Sequence, residues 1–241
     1  MRTRSYLLIV ALAAGLVGSA AGAAHAVTAP GPVVVARYDF EGRSGGVLDR
    51  SGDGHTMTLV ARNGGRLRPV AHGTGRGLEF PAKCSGATCP LAVLQTPSAA
   101  DLNPGTRPLA YGATVRLART QTTDGENVLQ KGYSKTSSQY KLQVDGLAGR
   151  PSCVLVGDNK PGIRMVRSSV SIADGTWHAV ECRRTGGRFV IVVDGVVRGK
   201  RTVPRTLSVS NTRPLSIGGK GAYADNDQFQ GALDDVWVRI G

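Results

Sequence analysis

Residues 174–198 read DGTWHAVECRRTGGRFVIVVDGVVR, and the two Asp-Gly pairs in this stretch commit the chain to antiparallel strands. Asp194-Gly195 is the stronger signal. A two-residue type I′ hairpin turn needs positive φ at both central residues, and Asp followed by Gly tolerates that geometry. The run before it, 189–193 (FVIVV), is apolar on both faces, as expected of a strand covered on both sides. Further on, 215–219 (LSIGG) ends in glycines, and 229–238 (FQGALDDVWV) carries an acidic pair. None of these segments has a helical period.

The rest of the chain repeats this pattern. Residues 36–41 (ARYDFE) alternate, with Tyr38 and Phe40 on one face and Asp39 and Glu41 on the other. Short strands are expected at 57–60, 77–80, 91–95, 111–117, 127–131, 139–144, 152–156, 164–170 and 177–183. In 111–117, Tyr111, Ala113, Val115 and Leu117 share a face; in 139–144, Tyr140, Leu142 and Val144 do. Residues 49–55 (DRSGDGH) form a turn cluster. Short strands at turn-punctuated spacing predict an all-β fold: a two-sheet antiparallel β-sandwich. His178 shares a face with Val180 and Cys182 and is expected to be packed; Trp177 is expected in the core. Trp237 fits either the core or a platform for a sugar ring.

The N-terminus predicts a signal peptide over residues 1–26. Arg2 and Arg4 precede an apolar run over 6–17, and Ala24-His25-Ala26 fits the small-residue cleavage rule. Cleavage leaves 241 − 26 = 215 residues: a short linker over 27–34 and one domain over 35–241. That length suits a single sandwich of about 200–250 residues. The apolar run is too short for a comfortable membrane anchor, and no second run of about 20 apolar residues predicts a span in the mature chain. A secreted, extracellular protein is expected.

The formal charge of +13 becomes +13 − 2 = +11 after cleavage. The cations are scattered, with short clusters at 62–68, 183–184 and 198–205. This predicts general affinity for anionic polymers such as acidic glycans or cell-wall polymers, and export argues against a specific nucleic-acid partner. Four cysteines in an exported chain predict two disulfides, with three pairings open. Cys84 and Cys89 lie close together in a loop, which favours a local bridge. Cys153 and Cys182 lie in strand-like segments and are expected to join neighbouring strands.

The motifs also occur in a recognisable order: YDFEG at 38–42, DRSGDGH at 49–55, GRGLEF at 75–80, ENVLQKG at 126–132, DGTWHAV at 174–180, VVDG at 192–195, LSIGG at 215–219 and FQGALDDV at 229–236. Together they resemble the laminin-G-like, concanavalin A-like lectin/glucanase family from about Tyr38 to Ile240. The CSGATC segment at 84–89 lies outside that pattern. The resemblance implies a jelly-roll sandwich of concanavalin A type. It names no single function, because this architecture hosts lectins, adhesins, carbohydrate-binding modules and glycosidases.

Catalysis finds little support in the residues. A retaining glycosidase needs two carboxyls about 5–5.5 Å apart. The family's glucanases place them as Glu-x-Asp-x-x-Glu, and none of the four glutamates here has that spacing. A structural calcium ion is the stronger chemical expectation, since calcium takes six to eight oxygen ligands. If the first and last strands pair, as the resemblance implies, Glu41, Asp49, Asp53, Asp234 and Asp235 converge. A ligand site is expected in the polar rim loops, from Asp124, Glu126, Asn127, Tyr223, Asp225, Asn226 and Asp227. The expected function is therefore a non-enzymatic module binding carbohydrate or another cell-envelope polymer. The alternatives are a protein-binding adhesion domain or a degenerate glycoside hydrolase.

Overall fold

A computed structural model of the chain describes residues 31–42 and 46–241. The expected signal peptide and the first part of the expected linker lie outside the described residues. Those residues contain fifteen strands and one short 3-10 helix, Arg119–Gln121. The strands are β1 Val33–Tyr38, β2 Thr58–Arg62, β3 Arg68–His72, β4 Gly75–Glu79, β5 Leu91–Thr96, β6 Leu109–Arg116, β7 Glu126–Gly132 and β8 Gln139–Asp145. They continue with β9 Arg150–Val156, β10 Arg164–Arg167, β11 Trp177–Thr185, β12 Arg188–Val193, β13 Val196–Thr202, β14 Leu215–Ile217 and β15 Ala232–Ile240.

Two sheets result. One has the order β13-β12-β11-β6-β15-β4-β3, with β1 also paired to β15; the other has the order β10-β9-β8-β7-β14-β5-β2. The inward residues of both make one core. Tyr111, Ala113, Val115 and Leu117 enter it from one sheet, and Tyr140, Leu142 and Val144 from the other. Three buried tyrosines keep their hydroxyls bonded within it. Tyr38 donates to the His55 carbonyl at 2.8 Å, Tyr140 to Leu102 and Tyr111 to Val154, the last two at 3.2 Å. Burial raises the pKa of all three phenols, so they stay neutral donors.

The Asp194-Gly195 turn is present, with φ of 50° and 76°, and joins β12 to β13. All residues of β12 after Arg188 are buried, as its apolar run predicts. Other expectations shift. The first strand begins at Val33, inside the expected linker, and ends at Tyr38; Phe40, at φ 54°, turns its ring into the core. β3 was not expected, because RPVAH contains proline and little apolar alternation. It forms by pairing with β4 across the Gly73-Thr74 turn, which puts His72 at a strand end rather than in a free loop.

Both disulfides form, Cys84–Cys89 and Cys153–Cys182. The second does not join neighbouring strands. β9 and β11 belong to different sheets, so the bond crosses the core between them. Trp177 also departs from expectation. It lies on the outer face of its sheet, its ring 4.4 Å from His72 and covered by the Arg116 guanidinium at 5.0 Å. Trp237 carries Arg239 in the same way at 5.2 Å. His178 does sit at the inward edge of β11, half-covered, but its partners are charged: Asp194 at 2.7 Å and Asp174 at 3.1 Å.

Candidate functional site

Three loops meet at the rim beside β2 and β5. Residues 84–89 are closed into a ring by their disulfide, and the Asn63 side chain donates to the carbonyls of Ala87 and Cys89 at 2.9 and 3.0 Å. The loop at 123–125 leads into β7. The loop at 224–228 leads toward β15. Between them lies an open cleft of about 530 Å³, also bordered by Arg62, Leu91 and Gln230.

The cleft walls are held by buried polar contacts. Glu126 is fully buried behind the 123–125 loop. Its Oε1 accepts from the Thr123 amide at 3.0 Å, and its Oε2 from the Gln230 amide at 3.1 Å. Burial pushes its pKa up to about 7, against the lowering effect of those two amides, the Thr123 hydroxyl and Lys83. The Asn127 amide donates to the Asp227 carbonyl at 2.9 Å, which ties the second loop to the third. Gln228 replaces a strand partner. Its Oε1 accepts from the Ala92 amide at 3.0 Å, and its Nε2 donates to the carbonyls of Ala92 and Gly218 at 3.0 and 2.9 Å. Asn226 is buried and donates to the Gly221 carbonyl at 2.7 Å. Asp225 and Asp227 hold φ of 60° and 50°, so the third loop adopts a left-handed shape that aspartate tolerates better than bulkier residues.

The structure therefore brings four of the expected ligand residues to the cleft, Asp124 in one wall and Asp225, Asn226 and Asp227 in another. Asp124 and Asp225 are exposed there, while Asp227 is paired with Lys220 at 2.8 Å. Glu126 and Asn127 stand behind the cleft as its scaffold. Tyr223 lies on the far side of the third loop, in a second recess of about 420 Å³ with Tyr133 and Arg213. Burial and a hydrogen bond with Tyr133 push the Tyr223 pKa up to about 12. The sequence pointed to a local Cys84–Cys89 bridge and to a cation cluster at 62–68, but not to the place of either at this cleft, and it gave no sign of Gln230 there; nothing in the CSGATC segment says which loops it faces.

The acids expected to hold calcium are kept apart. β1 and β15 do pair, with Tyr38 opposite Val236. Asp234 and Asp235, however, serve different neighbours: β15 borders β4 early and β1 late, and its register shifts between Asp234 and Trp237. Asp234 bonds His72 at 2.6 Å, and Asp235 pairs with Arg37 at 3.3 Å. Asp49 accepts from the amides of Arg37, Ser51 and His55 at 2.9, 2.9 and 3.0 Å, which holds its pKa below the usual range although burial opposes this. Glu41 accepts from the Arg76 amide at 2.8 Å, and Asp53 is exposed in its turn. Among the described residues, no three His, Cys, Asp or Glu side chains are placed to hold a metal ion.

This sandwich is matched by a known family. The laminin-G-type sequence model of the concanavalin A-like lectin/glucanases superfamily covers residues 92–239, more than half of the chain. The chain belongs to that superfamily. No curated protein matches it in sequence. Domain 4 of AbnA, a GH43 extracellular arabinanase from Geobacillus stearothermophilus in complex with arabinotriose, matches with TM-score 0.65 at 15% identity, over 87% of this chain and 93% of that one. The binding domain of Paraclostridial Mosquitocidal Protein 1 matches with TM-score 0.63 at 11% identity, over 86% and 48%. The binding domain of Botulinum Neurotoxin DC in complex with SialylT matches with TM-score 0.61 at 10% identity, over 85% and 47%. The chain thus spans nearly all of the arabinanase domain and about half of each toxin binding domain. At these identities the likeness is one of fold.

Proposed function

We propose that this concanavalin A-like chain is an exported, non-enzymatic module that binds carbohydrate, as a glycan or cell-envelope polymer, in the cleft among loops 84–89, 123–125 and 224–228. The observation that carries the reading is the convergence of Asp124 and Asp225 on an open cleft of mixed polar and apolar lining whose walls are fixed by hydrogen bonds out of solvent reach. Carboxylates and backbone amides held in fixed positions suit the paired hydroxyls of a sugar, and prior fixing of the walls reduces the entropy lost on binding. Glu126, a carboxyl whose pKa burial raises, supports a non-catalytic role: both of its oxygens are engaged by backbone amides behind the cleft. The two disulfides support export, since such bonds persist in oxidising compartments. The arabinanase domain of similar fold was determined with arabinotriose, which makes arabino-oligosaccharides a reasonable first probe.

A glycan array including arabino-oligosaccharides tests the reading, with and without chelator. Wild-type protein is expected to bind at least one oligosaccharide class, and Asp124→Ala with Asp225→Ala to weaken it about tenfold or more, through loss of charge-assisted hydrogen bonds. No binding under either condition would defeat the proposal, and so would binding untouched by both substitutions.

A further inference from the structure

Beyond the cleft, at the opposite edge of the seven-stranded sheet, the molecule carries a group of basic side chains. β10 is the last strand of that sheet, and β13 is the last strand of the other. The two edges close on each other. The Ser169 amide donates to the Arg198 carbonyl at 2.9 Å, and the Arg201 guanidinium donates to the Met165 carbonyl at 3.2 Å. A Cβ on Gly199 would stand 2.4 Å from the Arg167 carbonyl, so only glycine lets the strands come this near.

This closure brings together two sequence stretches without any acid. Residues 159–173 hold three Lys or Arg, and residues 195–207 hold four, with no Asp or Glu in either. Lys160, Lys200, Arg201 and Arg205 are exposed; Arg164 and Arg198 are half-buried. Where these side chains are bonded, the partners are backbone carbonyls: Arg164 donates to those of Lys160, Pro161 and Gly162. Among the described residues, no carboxylate pairs with Lys160, Arg164, Arg198, Lys200, Arg201 or Arg205. Arg37, Arg50, Arg76 and Arg183, by contrast, each pair with a carboxylate.

We propose that the β10–β13 edge is a docking ridge for an extended anionic polysaccharide, separate from the rim cleft. Three observations favour that occupant. Arg198, Lys200 and Arg201 succeed one another along a seven-residue edge strand of roughly 23 Å, with Arg205 just beyond its end and Arg164 on the facing edge, which suits a chain with repeated charges better than a single small anion. Neither stretch contains an aromatic residue, so the ridge offers no ring for a nucleobase to stack on. The disulfides place the folded chain where nucleic acid is not the resident polyanion.

The test measures binding of dextran sulfate, with uncharged dextran, duplex DNA and vesicles containing anionic lipid alongside, across a range of salt. The variant Lys200→Glu/Arg201→Glu/Arg205→Glu is compared with Arg66→Glu/Arg68→Glu/Arg119→Glu, which removes the same charge elsewhere. Dextran sulfate affinity is expected to fall steeply with salt and to drop about tenfold or more in the ridge variant, while the control variant keeps most of it. Because Arg201 also bonds β10, Lys200→Gln/Arg205→Gln serves as a milder variant, and melting curves confirm folding of each. Equal losses in ridge and control variants overturn the proposal, since they report net charge alone. Binding of uncharged dextran as tight as that of the sulfated form, or of DNA or vesicles more tightly at the ridge, overturns it as well.

Discussion

At the scale of single residues, two ionisable groups give this protein a pH signature. His178 is held between Asp194 and Asp174. Burial opposes its charge, but the hydrogen bonds to both carboxylates outweigh burial and raise its pKa above 6.5. The stability it contributes is therefore complete below the unfolded value and is lost as pH rises through the folded one. The carboxylates are half-exposed, so replacing His178 with Asn should cost about 1 kcal/mol or less and flatten the fall in Tm above neutrality. Glu126 acts in the same sense at lower pH. With a folded pKa of about 7, raised by burial, it favours folding most below its unfolded value near 4.5, and that contribution declines as pH rises toward 7. Glu126→Ala leaves two buried amides without acceptors and should cost about 2–3 kcal/mol, with extra hydrogen exchange at Thr123 and Gln230. The terminal acids predict a third result: Asp49, Asp234 and Asp235 already have protein partners, so a chelator is expected to leave Tm unchanged.

At the scale of strands and loops, cross-links that are distant in sequence matter most. Cys153–Cys182 spans 29 residues and ties the sheets together, whereas Cys84–Cys89 spans five and shapes only the cleft rim. Loop-closure entropy puts their contributions at roughly 3–4 and about 2 kcal/mol. Replacing the first pair with alanine should therefore lower Tm more, while replacing the second, under the proposed function of the cleft, should chiefly weaken oligosaccharide binding. Lys131 plays a comparable part for the loop at 207–213. It is fully buried, and its ammonium donates to the Ser98 hydroxyl, the Asn211 carbonyl and the Arg213 carbonyl. Burial brings its pKa down to about 8, so its contribution to stability grows as pH rises from 8 toward 10.5. Lys131→Met should remove that rise and increase hydrogen exchange across 207–213.

These elements also show what the sequence could disclose. The Asp194-Gly195 turn and the face of Tyr140, Leu142 and Val144 were legible because each depends on a few adjacent residues. The orientation of Trp177 was legible too, had its companions been weighed: it shares alternation with Glu181 and Arg183, the polar face, and not with Val180 and Cys182. The partition of strands between sheets was not legible, since β9 and β11 look alike locally and only long-range pairing separates them. β3 was hidden for the same reason, as its partner β4 supplies the order that RPVAH lacks.

At the scale of the whole molecule, charge is divided. The rim cleft carries Asp124 and Asp225, and the edge where β10 and β13 meet, across the molecule, carries Lys160, Arg164, Arg198, Lys200, Arg201 and Arg205. The net charge of the chain gave only its average and concealed this division. The composition of the loops at 124–127 and 223–228 marked them as polar, which was enough to place two walls of the cleft. The third wall, the disulfide ring, was missed because its neighbours across the rim are fixed by tertiary folding. One measurement tests the central claim most directly: amide chemical-shift mapping by NMR while the protein is titrated with an oligosaccharide that binds on the array. The account predicts that the largest shifts cluster at residues 84–89, 123–127 and 224–228. Shifts centred elsewhere, with those loops unmoved at saturation, would contradict it.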